Sequence, residues 1–395
     1  MKKFWLAAAS VLNIGALGYF KYTGFFSEIV NKIIPGSPVL SIVLPIGISF
    51  FTFQGLSYVI DVYRGDAEVQ KNPLYIALYI SLFPQLVAGP IVRYTTVEDE
   101  ISNRRESLGE FSDGLVRFMT GFGKKMILAN PAGEIADSIF AASSLTVSLS
   151  WIGALAYTAQ IYFDFSAYSD MAIGLGKMFG FHFLENFNYP YIARSVTDFW
   201  RRWHISLSTW FRDYVYIPLG GNRCSKCRHI VNLLIVWGLT GFWHGASWNF
   251  IAWGLWFGIL LIFEKYIWGG FFEKHRVLGH IYTMLAVVFG WVLFRAATLS
   301  DAVSYASAML GLNCTALYDG QSIYCLLEYW PEWILFVLCS LPIAKNLKDR
   351  LADSSSPVAG FVYSWGIKLV AGAVFLIGYT KLVTGSFNPF IYFRF

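Results

Sequence analysis

The sequence predicts an all-α polytopic membrane protein, built as one integral domain over residues 1–395. Three observations carry that reading. Of the 395 residues, 56% are hydrophobic, 18% aromatic and only 14% charged, whereas a soluble domain carries about a quarter charged residues. Apolar runs long enough to cross roughly 30 Å of hydrocarbon recur along the whole chain. The net charge of +5 is modest, and its concentration in the segments between those runs speaks for membrane topology, not for nucleic-acid binding.

The chain opens with Met1-Lys2-Lys3 and an apolar run to Phe20. This resembles a signal peptide, but no small-residue cleavage site is evident and Lys21 and Tyr22 follow directly, so a first membrane helix is expected. Val39 to Ile60 is a second span, bent at Pro45 and Gly47 and closed by Asp61 and Arg64. Pro73 to Pro90 is apolar but interrupted, and FPQLVAGPIVRY reads as a broken or re-entrant segment lying against protein or a water-filled cavity. The polar run Thr95 to Glu110 is solvated. Phe111 to Leu128 returns to the membrane, with Lys124 and Lys125 as an interfacial anchor. Trp151 to Phe181 holds Asp164, Asp170 and Lys177. Ionised carboxylates do not face lipid, so Asp164 is a candidate for binding substrate in a cavity, with a structural ion pair as the alternative.

The segment Arg194 to Trp256 organises the rest. Between Arg194 and Arg228 stand seven Lys or Arg and two Asp, which places this stretch in the cytosol. Thr197 to Phe211 has helical periodicity, with Thr197 as N-cap and Asp198 in the first turn. On that helix Trp200, Trp203, Leu207, Trp210 and Phe211 share one face, and His204 falls among them; Arg201 and Arg212 fall on another. The helix is too short to span and lies along the interface. His204 is a candidate functional group, with a packed, hydrogen-bonded histidine as the alternative.

Ile230 to Phe263 runs 34 residues without a charge apart from His244. As one straight helix it would extend roughly 51 Å, more than a membrane needs. It therefore breaks, with Gly238, Gly241 and Gly245 as the places to do so, and His244 at the break. An ionisable group in such a run points to function, and a deeply buried histidine calls for partners on both ring nitrogens. Further apolar segments are Ile281 to Phe294, Tyr329 to Ala344 and Phe361 to Leu382, and the terminal NPFIYFRF suits an interface.

The five cysteines give no framework. Cys224 and Cys227 form one CxxC with His229 the only further ligand candidate nearby, short of a zinc set, so no metal is expected; Cys314 and Cys325 are able to pair only on an oxidising side. No repeat, P-loop, GxGxxG or GxSxG motif is present.

RSVTDFWRRWHISLSTWFRDYVYIPLGGNR, followed by GFWHGASWNFIAWG, resembles the membrane-bound O-acyltransferase family, and most closely its bacterial branch that helps O-acetylate alginate and other exported polysaccharides. GYFKYTGFF, LFPQLVAGPIVRY and NPFIYFRF extend the resemblance over essentially the whole chain. The resemblance implies a ring-like bundle of about ten transmembrane or re-entrant helices around a central tunnel, with short amphipathic cytosolic helices. It places His244 at the family's hallmark histidine and His204 at its second motif histidine. Relatives of this branch begin with further helices ahead of the GYFKY region. A multi-pass protein of the bacterial inner membrane is implied.

Acyl transfer from a thioester to a hydroxyl needs a base and donors for the developing oxyanion. His244 suits the base. Trp243 and Asn249 are neighbouring donors, Trp203 joins them as a substrate-binding candidate, and Arg201, Arg202 and Arg212 are candidates for the phosphates of coenzyme A, with attraction to anionic lipid as their alternative. No bound cofactor is expected; acetyl-CoA is the expected acyl donor. The expected partners are the exported polysaccharide or a periplasmic acetyltransferase, and the bilayer. Two further readings stay open: transfer of D-alanine from a carrier protein to teichoic acid, and an ion-coupled transporter using Asp164, Asp170 and His244. Transporters of that kind often carry matched inverted halves, which this sequence lacks.

Overall fold

A computed structural model describes residues 1–87, 89–385 and 388–391. The described residues form helices and connecting loops, with no strand among them. In chain order the helices used below are α1 (Lys2–Ile33), α2 (Ile48–Arg64), α3 (Pro73–Ser81), α4 (Tyr94–Asn103), α5 (Leu108–Gly123), α6 (Asn130–Phe140), α7 (Val147–Met178), α8 (Val196–Arg202), α9 (Ile205–Phe211), α10 (Lys226–His244), α11 (Trp248–Phe263), α12 (Arg276–Arg295), α13 (Leu299–Met309), α14 (Gly320–Glu328), α15 (Trp330–Ser340) and α16 (Pro357–Thr384).

By length and composition, four helical segments among the described residues are able to cross a membrane: Lys2–Ile33, Trp248–Lys274, Arg276–Arg295 and Pro357–Thr384. The pair α14 and α15, bent by 65°, makes a fifth if it counts as one broken span. Helix α7 is long enough, at 32 residues, but most of it is buried and it carries polar and charged groups, so it is a core helix that other helices surround. Helices α5 and α6 pack along α7, joined to each other by a π-helical turn over Lys124–Ala129.

Several elements differ from expectation for identifiable reasons. The run Val39 to Ile60 is not a bent span. Residues 39–45 have no regular secondary structure, and Gly47, at φ 79°, turns the chain into α2. A side chain there would strike the Leu86 carbonyl at 2.5 Å, so only glycine fits. Asp61 lies inside α2, buried, and both its carboxylate oxygens lie 2.7 Å from the Tyr214 hydroxyl, whose one proton they share. Lys124 and Lys125 are not an interfacial anchor. Lys124 pairs with Asp170 and Lys125 with Asp164, because the π turn aims both ammonium groups at α7. Asp170 also takes Arg117, which grips Glu185 with both terminal nitrogens.

The helix expected over Thr197 to Phe211 is two, α8 and α9. Ser195 caps the first, accepting from the Asp198 N–H, while the Glu264 carboxylate receives the Val196 and Thr197 N–H groups. The interruption falls at Trp203 and His204. His204 has φ 43°, a left-handed conformation uncommon for a non-glycine residue, so it does not share a continuous face with Trp200 and Leu207. The chain does break after His244, over Gly245 to Ser247, while Gly238 and Gly241 stay helical. Gly241 serves contact instead: a Cβ there would lie 2.3 Å from the Phe250 carbonyl oxygen, and one on Gly254 would lie 2.2 Å from that of Trp237. The helices α10 and α11 thus form a hairpin whose backbones touch.

Cys314 and Cys325 are not joined; all five cysteines are free thiols. Both ring nitrogens of His229 are engaged, one with the Tyr216 hydroxyl at 2.8 Å and the other with that of Tyr266 at 2.6 Å. The chain end folds inward instead of lying at an interface: Phe390 and Ile391 reach the core. The last four residues of the terminal motif, Tyr392 to Phe395, lie outside the described residues, as does Ala88 of the FPQLVAGPIVRY segment.

Candidate active site

A narrow apolar cavity lies where α7, α10, α11 and α12 meet. Helix α7 contributes Ile161, Asp164, Phe165 and Tyr168; Trp203 comes from the α8–α9 break, Trp253 from α11, Trp291 and Phe294 from α12, and Phe390 and Ile391 from the chain end. The aromatic wall is built by edge and tilted contacts: Trp203 lies 4.8 Å from Trp291, and Trp253 lies 5.2 Å from Phe294. Such pairs prefer these offset geometries and rigidify the wall.

His244, the last residue of α10, opens onto this cavity. Its ring stands edge-on to Trp243 at 4.9 Å, Trp253 at 5.0 Å and Phe294 at 5.2 Å. Among the described residues neither ring nitrogen has a hydrogen-bond partner. His244 is half-buried, so the demand that a deeply buried histidine makes for partners on both nitrogens does not arise here. Aromatic rings pack around the imidazole on the cavity wall. An imidazole packed among aromatic rings, with no hydrogen-bond partner among the described residues, keeps a nitrogen lone pair uncommitted.

His204 is buried and does not line the cavity. Its ring meets Phe165, which does, edge-on at 4.6 Å. Nδ1 lies 3.1 Å from Asn186 Oδ1. That same oxygen accepts from the Ser206 N–H and hydroxyl, so it is the acceptor and Nδ1 carries the proton. The left-handed turn at His204 exists to let Ile205 donate to the Asn186 carbonyl while the imidazole meets the Asn186 side chain. His204 remains an electrostatic neighbour of His244, with Trp243 between the two rings.

The other sequence candidates divide by location. Asp164 and Trp203 line the cavity. Asp164 is also half of a buried ion pair, its Oδ1 2.6 Å from Lys125 Nζ, while its Oδ2 accepts from the Ile391 N–H. Trp243 and Asn249 stand behind the wall with their donors engaged: the indole of Trp243 gives to the Ser49 carbonyl at 3.4 Å, and the amide of Asn249 to that of Ala296 at 2.8 Å. Arg201, Arg202 and Arg212 lie away from the cavity. Arg202 pairs with Asp198 at 2.8 Å and Arg212 with Asp213 at 2.6 Å, leaving Arg201 exposed. Burial pushes the Asp213 carboxyl up, but hydrogen bonds from Arg212 and Arg93 outweigh it and hold the group below its usual range.

Residues 67–300 match the model of the membrane-bound O-acyltransferase family. The probable alginate O-acetylase AlgI of Azotobacter vinelandii is 42% identical over 99% of this chain and 85% of its own length. The chain belongs to the membrane-bound O-acyltransferase family. Its AlgI relative in Pseudomonas aeruginosa is 40% identical with the same coverage. The peptidoglycan O-acetyltransferase of Helicobacter pylori is 34% identical over 100% of the chain and 83% of its own length. The teichoic acid D-alanyltransferase of Bacillus subtilis is 31% identical over 66% of the chain and 71% of its own length. The protein is an O-acyltransferase, and in this cavity an ionisable imidazole meets an apolar, aromatic wall.

Sequence reasoning missed three parts of this candidate site. Trp253 carries a buried indole N–H with no acceptor among the described residues, beside His244. Lys125 and the Pro389–Ile391 end meet at the cavity: Lys125 Nζ donates to the Pro389 carbonyl at 3.2 Å and lies 4.7 Å from the Phe390 ring centre. Lys21 donates to the carbonyls of Trp243 and His244. The signal for Lys21 was present. It is an ionisable side chain inside an apolar run, the same feature that singled out His244.

Proposed function

We propose that this enzyme takes an acetyl group from acetyl-CoA at the cytosolic face of the bacterial inner membrane and delivers it to an exported, alginate-like polysaccharide, directly or through a periplasmic acetyltransferase. The observation that carries the reading is the imidazole of His244, without a hydrogen-bond partner among the described residues, on an apolar cavity, in a chain similar along its length to alginate and peptidoglycan O-acetylating proteins. His244 takes the proton of the acceptor hydroxyl as its oxygen attacks the thioester carbonyl. The tetrahedral oxyanion collapses, the C–S bond breaks, and the departing thiolate takes the proton back from the imidazolium. The apolar, aromatic wall excludes water, so the thioester meets the acceptor and not hydroxide.

In this reading the helices form a ring around a tunnel that passes His244, and the basic stretch Arg194 to Arg228 faces the cytosol, by its excess of Lys and Arg. His204 acts behind the wall, holding Phe165 and Trp203 in place for the donor. Arg201, exposed and outside any ion pair among the described residues, is the arginine best left for a coenzyme A phosphate. Transfer of D-alanine is the second reading, favoured only by the more distant teichoic acid relatives.

The test is complementation. The gene is expressed in an alginate-exporting bacterium lacking its own O-acetylase, and acetyl per uronate is measured on the exported polymer. Restored acetylation by the wild type and none by His244→Ala, at equal membrane abundance, is the expected result. Incorporation of D-alanine from a loaded carrier, with no acetylation, overturns the acetyl assignment.

A further inference from the structure

A helix ends with carbonyls that have no intrahelical partner, and in an apolar setting water does not supply one. Many helices solve this with a left-handed glycine after the last residue. Helix α10 does not: Gly245 is extended, at φ −164°, so that the chain can turn directly into α11. Its N–H reaches only the Gly241 carbonyl, at 3.4 Å. The carbonyls of Phe242, Trp243 and His244 are left over.

The N-terminal helix satisfies all three. Within α1 a π-helical turn over Gly18–Tyr22 brings two consecutive polar side chains to the end of α10. The Tyr22 hydroxyl donates to the Phe242 carbonyl at 2.9 Å, and its ring stacks on Phe242 at 4.0 Å and 10°. Lys21 Nζ donates to the Trp243 carbonyl at 2.5 Å and to that of His244 at 3.2 Å. Its third proton goes to Ser49 Oγ on α2 at 3.1 Å. An ammonium has three donors, and all three are used. A cation at a helix C-terminus is also favoured by the helix dipole. π turns of this kind occur often at functional sites.

We infer that Lys21, with Tyr22, is the positioning residue of the catalytic turn: it fixes the rotation of the last turn of α10 and so the direction in which His244 presents its imidazole to the cavity. Lys21 does not line the cavity and reaches the imidazole through the carbonyls it holds. The consequence for the reaction rests on the reading of His244 as the base; the geometric claim does not.

The experiment therefore has two readouts on the purified full chain in liposomes. Carbethoxylation of His244 by diethylpyrocarbonate, followed by peptide mass spectrometry, reports its presentation without needing activity. Release of thiol from acetyl-CoA reports turnover. In Lys21→Met the last turn loosens, His244 is modified several-fold faster, and turnover falls by about 10²-fold, the cost of a misplacement near 1 Å. Lys21→Arg, which keeps charge and donors, restores both readouts to within a few-fold of wild type. An unchanged His244 modification rate in Lys21→Met overturns the inference whatever the turnover. If His244→Ala keeps full turnover, the reading of the base falls, and the modification rates still judge the clamp. Should Lys21→Met fail to fold, Tyr22→Phe, which removes one O–H, carries the same test with a smaller shift in the same direction, and no shift in it is equally fatal.

Discussion

Two glycines three residues apart on α10 separate contact from mere helix composition. A methyl group on Gly241 would lie 2.3 Å from the Phe250 carbonyl oxygen and 3.3 Å from the Gly254 Cα, whereas one on Gly238 meets nothing within 4 Å. Carbon and carbonyl oxygen come no closer than roughly 3.3 Å in ordinary contacts. Gly241→Ala therefore forces α10 and α11 apart by about 1 Å, at a point one turn before His244. Overpacking of that kind costs about 1–3 kcal/mol, and a misplacement of about 1 Å at a catalytic group costs about 10²-fold in rate. Gly238→Ala relieves helix entropy and is neutral or mildly stabilising, by up to about 1 kcal/mol. The assays are thermal unfolding in detergent and polymer acetylation in the complemented strain. Gly241→Ala is expected to melt lower and to lose acetylation nearly completely, and Gly238→Ala to match or exceed wild type in both. If the two variants behave alike, the hairpin is not held by backbone contact and the packing argument for His244 fails.

Unequal roles are expected for the two histidines: His244→Gln loses turnover, while His204→Gln, which preserves a donor toward Asn186, keeps measurable transfer and loses mainly donor affinity; equal loss of turnover with donor binding intact assigns His204 to the chemical step. Cys227 is exposed and Cys224 half-buried, so a thiol reagent admitted to the cytosol labels the loop, and labelling by an impermeant reagent from outside intact cells reverses the proposed orientation. His182 bridges Glu100 on α4 at 2.7 Å and Glu110 on α5 at 2.9 Å, and the hydrogen bond to Glu100, then that to Glu110, raise its imidazole above the ordinary 6.5. Its stabilising contribution is therefore complete below pH 6.5 and is lost as pH rises through the raised folded value. Unfolding temperature should fall over that window in the wild type and lose that step in His182→Gln; a step that persists in the variant belongs to another group.

Much of this was legible because a membrane amplifies the cost of polarity. The class follows from composition, and His244 from being one ionisable group in 34 uncharged residues. The break beside it follows from length alone. What periodicity misjudged is where contacts beyond the helix decide the outcome. Trp200, Trp203 and Leu207 fit one helical face, yet the chain breaks at His204 because the Asn186 side chain and carbonyl offer His204, Ile205 and Ser206 better partners than a continuous helix does. Gly238, Gly241 and Gly245 look equivalent in sequence. Only the partner helix distinguishes a free position from a backbone contact and from the break. Lys124 and Lys125 look like an anchor because their carboxylate partners lie 46 and 39 residues away on α7.

Charges inside the bundle hold distant segments around one histidine, and this decides what the site needs in order to work. The family match covers residues 67–300, which includes His244 and the tryptophans of the wall. It excludes both pieces that close the site. Behind His244, Lys21 and Tyr22 hold the end of α10. In front of it, Phe390 and Ile391 form part of the cavity wall, seated by Lys125 and Asp164. Each seat uses a lysine in a segment where an unpaired charge would be costly, so each ties the position of its segment to the contact it makes. The buried ammonium groups thereby convert two chain segments remote in sequence into walls of the cavity. A fragment confined to residues 67–300 would keep the imidazole and lose both the clamp that aims it and the wall that faces it.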